Sequence, residues 1–351
     1  MSSDCTCAAA PFDHPKADVI LRSSDNVDFR VFRLFLSLAS PVFEALFDIP
    51  QPTKLSGDQE VRDGLAVIPV SEDSKTLDML LRFCYPCTLA EDPSLDVLKD
   101  AMDVLDAAMK YSLDVIEKRA RQAISSPKIL EAAPLQCFAI AHRGHLREET
   151  LLAAKHTLTQ PLIPSWFQEI ELISASALLS LLTYHNRCGD AVYALRLDLS
   201  WIKSHYGSSQ ACSWLSPPQA ISNQQQYQYC NYCGTNRPID VNNTTTCGCA
   251  RVVGTAKYML FDAQVLQWWE DFMEETFTAL RDKPCKSTVQ ACAEKTVQAV
   301  KAQNCQACSP KITEGMRDFV DLFVGKVEEV VSQVGHILIP VNVTQRSGRS
   351  S

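Results

Sequence analysis

The chain has 351 residues, 46% hydrophobic and 21% charged, which excludes a disordered polyelectrolyte and supplies enough apolar material for two or three domains. Its net charge is −8, and residues 1–125 hold the whole excess, with 13 Lys and Arg against 21 Asp and Glu. An acidic first domain and the lack of any basic cluster argue against nucleic acid as a partner.

The opening MSSDCTCAAAPFDHP has no basic stretch followed by an apolar one, so residues 1–13 are expected to be a flexible N-terminus without a secretory signal. The apolar stretch from Leu172 to Tyr184 is too short to cross a bilayer. A cytoplasmic or nuclear location is expected. Fifteen cysteines, an odd number in a reducing compartment, then read as buried thiols, metal ligands or catalytic thiols rather than a disulfide framework.

Ala17–Leu21 and Phe29–Phe32 are β-capable runs separated by Ser23-Ser24-Asp25-Asn26, the composition of a hairpin turn. Leu34–Leu38 is apolar. Ser40-Pro41 then predicts a helix start over Val42–Phe47, with Ser at the N-cap and Pro at the first helical position. A polar loop with Pro50, Pro52 and Gly57 leads to a strand over Leu65–Val70. Helices follow over Thr76–Phe83, around Leu95, Leu98, Met102, Leu105 and Met109, and over Leu113–Ile124. The second carries apolar residues at alternating steps of three and four, one stripe against a core.

These residues resemble a BTB/POZ domain over about 14–125. Asp18-Val19-Ile20-Leu21 matches a D-V-x-L strand, Phe29-Arg30-Val31-Phe32-Arg33 an F-x-V-H-[KR] strand, and Leu38-Ala39-Ser40-Pro41-Val42-Phe43 with Phe47 the L-x-x-x-S-P-V-F helix. Leu80–Tyr85 and Ala107-Ala108-Met109-Lys110-Tyr111 continue the pattern. The whole looks like fungal BTB proteins with a helical C-terminal part in place of kelch repeats. The resemblance implies an α+β domain, a short sheet with helices, that forms a homodimer through Asp18, Phe32, Arg33, Leu38, Val42, Phe43 and Phe47, with Arg33 in a charged pocket near Asp18. In two places the sequence departs from the family. Phe32 replaces a His, and Asp48–Gly64 holds no clear copy of the hydrophobic-x-Glu element through which many such proteins hold a cullin.

From Lys128 the chain reads as mostly helical. Candidate helices are Ile129–Arg143, Glu148–Leu158, Trp166–Glu171, Ser174–His185 and Asp190–Tyr206, forming a region over 128–206. Residues 207–252 are polar and carry five cysteines. C-terminal helices follow over 256–335, at Tyr258–Arg281, Ser287–Gln303 and Thr313–Val334, before a flexible tail at 345–351.

Cys230-Asn231-Tyr232-Cys233 and, thirteen residues on, Cys247-Gly248-Cys249 have the spacing to surround one tetrahedral zinc. A bound metal would order a segment that has few aliphatic residues; loose thiols or a loop held by packing is the alternative. Cys84-Tyr85-Pro86-Cys87 resembles a redox motif, but it lies at a helix C-terminus, where the dipole disfavours a thiolate. Cys285, Cys292, Cys305 and Cys308 span a helix too long for them to share one ion. His142, His145 and His156 have no partners in ligand spacing, and the chain has no hydrolase, P-loop or dinucleotide motif.

The expected function is a non-enzymatic interaction scaffold that dimerises through the first domain and presents the helical region to a protein partner. Cullin ubiquitin-ligase adaptor and transcriptional co-regulator are its finer versions. The competing reading is a thiol- or metal-dependent enzyme in the Cys-rich half, with the first domain as its oligomerisation module.

Overall fold

The computed structural model describes residues 6–48, 60–161, 166–208, 212, 227–229, 236–238, 257–303, 308–309 and 311–338. The chain divides into two compact units, Met1–Ala153 and Ala154–Ser351. Among the described residues, no helix is long and apolar enough to cross a membrane.

The first unit is built on a five-stranded sheet of order β1-β3-β2-β5-β4. Its strands are β1 (Thr6–Cys7), β2 (Val19–Arg22), β3 (Val27–Val31), β4 (Val61–Arg62) and β5 (Leu65–Pro69). β2 and β3 form the expected antiparallel hairpin, with Ile20 opposite Arg30, and β5 joins β2 in parallel. Val19, Ile20 and Leu21 are all buried, so both faces of the central strand β2 are covered.

Between β3 and β4 come α1 (Arg33–Ala39) and α2 (Pro41–Asp48), and after β5 come α3 (Ser74–Cys84), α4 (Leu98–Lys110) and α5 (Asp114–Ile124). Asp73 caps α3 by accepting the Thr76 N–H at 2.8 Å. The stripe expected on α4 is core, where Ala101, Val104, Leu105 and Ala108 are buried with Leu77, Leu80 and Leu81 of α3.

Asp28 is buried in the sheet and ionised. It accepts from Arg22 Nε at 2.6 Å and from Arg62 Nη1 at 2.5 Å, and so ties β4 to β2 and β3. Burial alone would raise its pKa, but the hydrogen bonds from the two arginines outweigh that and hold it below the ordinary carboxylate range.

Several expectations are corrected. Residues 1–13 are not wholly a flexible N-terminus, because β1 pairs in parallel with β3 and Phe12 is fully buried against Phe29 and Tyr85. The compact unit that holds the domain expected over 14–125 continues past it. It takes in α6 (Pro127–Ala132), α7 (Pro134–Arg143) and the first part of α8 (Arg147–Thr157), because Arg121 grips Glu149 through two nitrogens at 2.8 and 3.1 Å and Arg143 holds Asp106 at 2.5 Å. Pro134 splits the single helix expected over Ile129–Arg143: the ring disfavours α geometry at Ala133, whose ψ is 56°.

The second unit is mostly helical. A 3₁₀ turn at Gln168–Leu172 stands where a helix over Trp166–Glu171 was expected, and α9 (Ala175–Ala194) runs unbroken through the gap expected between His185 and Asp190. A second 3₁₀ turn, Leu195–Leu197, leads to α10 (Ser200–Tyr206). Short hairpins are formed by β6 (Tyr227–Tyr229) with β7 (Asn236–Pro238), and by β8 (Met259–Leu260) with β9 (Ala263–Gln264). The second hairpin replaces the start of the helix expected over Tyr258–Arg281, because Phe261 and Asp262 adopt positive φ and turn the chain back. α11 (Gln267–Asp282), α12 (Lys286–Ala302) and α13 (Ile312–Leu338) complete the unit.

The core of this unit is an aromatic chain. Tyr258 meets Trp269 edge-on at 5.9 Å, Trp269 meets Phe319 at 5.4 Å, and Trp201 stacks on Phe319 at 6.1 Å. Trp268 and Trp269 are both buried in this core.

Candidate interaction surface

A groove of about 560 Å³ opens in the first unit. Its walls are the turn between α1 and α2 (Leu38, Ala39, Pro41), the end of α3 (Phe83, Cys84) and the start of α5 (Leu113–Ile116, Arg119).

One hydroxyl brings these distant segments together. Ser40 Oγ accepts the Phe43 N–H at 3.1 Å, which is the expected cap of α2, and donates to the Tyr111 carbonyl at 2.5 Å. The Tyr111 ring stacks on Phe43 at 4.4 Å, and its hydroxyl donates to Glu72 Oε2 at 2.7 Å. Lys110 Nζ reaches the same carboxylate at 2.8 Å. The Lys-Tyr pair that ends α4 thus anchors the α4–α5 turn from both sides. Ser112 takes a left-handed φ of 53° there, so the chain reverses into α5.

The groove carries apolar side chains on opposite walls. Leu38 is 79% exposed and Val115 70% exposed. Leu34, one turn before Leu38 on α1, is 64% exposed, and Val42 at the start of α2 is partly exposed. Exposed large apolar residues concentrated in this way mark an interaction surface. Arg119 borders it, with its guanidinium 5.3 Å from the Phe83 ring centre and an ion pair to Asp92. The groove also contains a cysteine. Cys84, its one thiol, is pushed up to about 12 by burial, the opposite of what an activated nucleophile requires.

The sequence-predicted interaction residues divide into two groups. Leu38 and Val42 are on the exposed surface, whereas Phe43 and Phe47 are buried inside their own chain and support that surface from below. Asp18 does approach Arg33, but it accepts the backbone N–H at 2.8 Å; the guanidinium lies over the Phe47 ring at 5.6 Å instead of pairing with Asp18. Phe32, in the place of a His, packs edge-on against Phe35 at 5.5 Å and lies 6.5 Å from the Tyr85 ring, an aromatic packing change. Sequence reasoning missed Leu34 and Val115. Val115 had a signal: it lies off the buried Ile116, Ala120, Ile124 stripe of a strongly polar helix.

The zinc ligands expected from spacing, Cys230, Cys233, Cys247 and Cys249, lie outside the described residues, as does Cys305. Among the described residues no three His, Cys, Asp or Glu side chains are grouped to hold a metal. The buried thiols Cys188 and Cys212 are pushed up to about 12 and about 11, chiefly by burial.

Residues 12–128 match the BTB/POZ domain family. No curated protein matches the chain.

The anchor beneath the groove responds to acid. Burial would raise the Glu72 carboxyl, but hydrogen bonds from Lys110 and Tyr111 outweigh it and hold the group below its ordinary value of 4.5. Ionised Glu72 therefore stabilises the fold fully above that value, and the contribution is lost as pH falls through the lower folded-state pKa. Urea denaturation at about pH 6 and about pH 3 should show a steeper acid loss for the wild type than for Glu72→Gln. Identical pH profiles would contradict this assignment.

Proposed function

Because residues 12–128 form a BTB/POZ domain, a protein-interaction module, we propose that the protein is a non-enzymatic scaffold. It pairs with a second copy through the Leu34, Leu38 and Val42 surface, takes a partner segment in the adjoining groove, and presents its helical unit as a further docking surface. The observation that carries this reading is the exposure of Leu34 and Leu38 on α1 beside a groove of mixed polar and apolar lining whose walls are held by Ser40 and Tyr111. Leaving such side chains in water costs roughly 25 cal/mol per Å² of apolar area that an interface would bury.

Cullin adaptor and transcriptional co-regulator are the two finer versions. Asp48–Gly64 lacks a clear hydrophobic-x-Glu element, and residues 49–59 of it lie outside the described residues, so the cullin version rests on family membership alone. Multi-angle light scattering of the full chain at micromolar concentration should give twice the 39.0 kDa chain mass. Leu38→Asp should give the monomer mass with unchanged circular dichroism. A monomeric wild type would overturn the pairing.

On spacing alone we also propose one structural zinc at Cys230, Cys233, Cys247 and Cys249. Metal analysis of purified protein should find about one zinc per chain, lost when Cys230 and Cys233 are changed to Ser. Wild-type protein without zinc would refute the site.

A further inference from the structure

Within the second unit, α9 and α11 meet at Gly189. A Cβ there would lie less than 3.0 Å from the Arg281 carbonyl oxygen, a backbone atom that cannot swing aside, so the approach requires glycine. Tyr193 lies one turn further along α9, and this close contact places the Arg281 guanidinium 5.4 Å from its ring centre. Beyond Ala194 the chain tightens into the Leu195–Leu197 3₁₀ turn, which brings the Arg196 guanidinium to 4.1 Å from the same ring centre. Two cations thus share one aromatic ring, and the ring's attraction for each is set against the repulsion between them.

Neighbouring carboxylates offset only part of the pair's charge, and Glu274 lies within electrostatic reach of Arg196. Glu274 is committed to Lys257 Nζ at 2.9 Å and to the Tyr258 hydroxyl at 2.7 Å. Asp190 stands 3.9 Å from Arg281, with both side chains mostly exposed. Arg196 makes no ion pair among the described residues, and its Nε is buried without a hydrogen-bond partner. A guanidinium has five donors, no acceptor and no accessible neutral form, so its charge persists and the donors other than the buried Nε remain available to a ligand. Large apolar side chains are exposed at neighbouring positions of the chain. Leu197, next to Arg196, is 79% exposed; Met259, next to Tyr258, is 61% exposed, and Tyr258 is within electrostatic reach of Arg196.

We propose that Arg196, Arg281 and Tyr193, with Leu197 and Met259 beside them, form a docking patch for an acidic segment of a partner protein in which carboxylates adjoin a large apolar residue. Arginine, tyrosine and exposed apolar side chains are the composition of interface hot spots, and a guanidinium binds a carboxylate through two parallel hydrogen bonds. Nucleic acid fits poorly, because residues 126–351 hold 20 basic and 20 acidic side chains and so lack the excess charge that phosphate neutralisation needs. The proposal rests on the reading that the helical unit binds partners, and it supplies the chemistry of those partners.

The test is fluorescence anisotropy with the full chain and a short labelled peptide that carries two Glu beside a Leu. Saturable binding that weakens with added salt is expected. Arg196→Gln and Arg281→Gln should each weaken it about tenfold, with unchanged circular dichroism. A peptide with Gln in place of Glu should not bind. Leu38→Asp should bind the acidic peptide as the wild type does, which separates failure of this patch from failure of the dimer. The proposal is overturned if the wild type does not bind, if the two peptides bind alike, or if the double arginine variant binds undiminished. Arginine-dependent binding of inorganic phosphate without binding of the peptide would also overturn it, by showing a site for free anions.

Discussion

Ser40 carries the constraint on which the first unit's surface depends. Its buried hydroxyl both caps α2 and holds the Tyr111 carbonyl, and these two contacts join segments 71 residues apart in the chain. Removing one partner from a buried hydrogen bond leaves the other unsatisfied, at a cost of about 1–3 kcal/mol. The groove inherits its shape from this contact: Leu38, Ala39 and Pro41 stand on one side of it, Leu113–Ile116 on the other. Phe43 and Phe47 belong to the same support, and their burial leaves the neighbouring Leu38 and Val42 facing outward.

The second unit gains its rigidity differently. Tyr258, Trp269, Phe319 and Trp201 contact one another in a chain that draws the β8–β9 hairpin, α11, α13 and α10 together. Gly189 then lets α9 approach α11 more closely than any side chain would permit. Both devices fix backbone positions, so the side chains that project from them, Arg196 and Arg281 among them, are held in place without a network of ion pairs. Interaction residues on rigid elements lose less entropy on binding than residues on loops.

Much of the fold was legible in the sequence because its signals are local. The β2–β3 hairpin, the Ser40-Pro41 helix start and the α4 stripe each lie within a short window where periodicity or capping is decisive. What escaped depends on distant partners. β1 and β4 have two residues each, too few for a period, and are strands only because β3 and β5 offer them hydrogen bonds. The β8–β9 hairpin was hidden because its turn uses Phe261 and Asp262 at positive φ, where Asn or Gly would have announced it. The candidate surface was half legible for the same reason. Leu38 and Val42 follow from a motif, whereas Val115 joins them only through the Ser40–Tyr111 contact. The place of Asp18 beside Arg33 was foreseeable, but its use of the backbone N–H was not.

Two copies of the chain are proposed to meet at the α1–α2 surface. Hydrogen–deuterium exchange of the full chain, followed as concentration is raised, tests it most directly. Rising protection is expected, confined within the first unit to residues 33–48 and the adjoining start of α5. Concentration-independent exchange across those residues, or protection gained elsewhere in the unit, would contradict it.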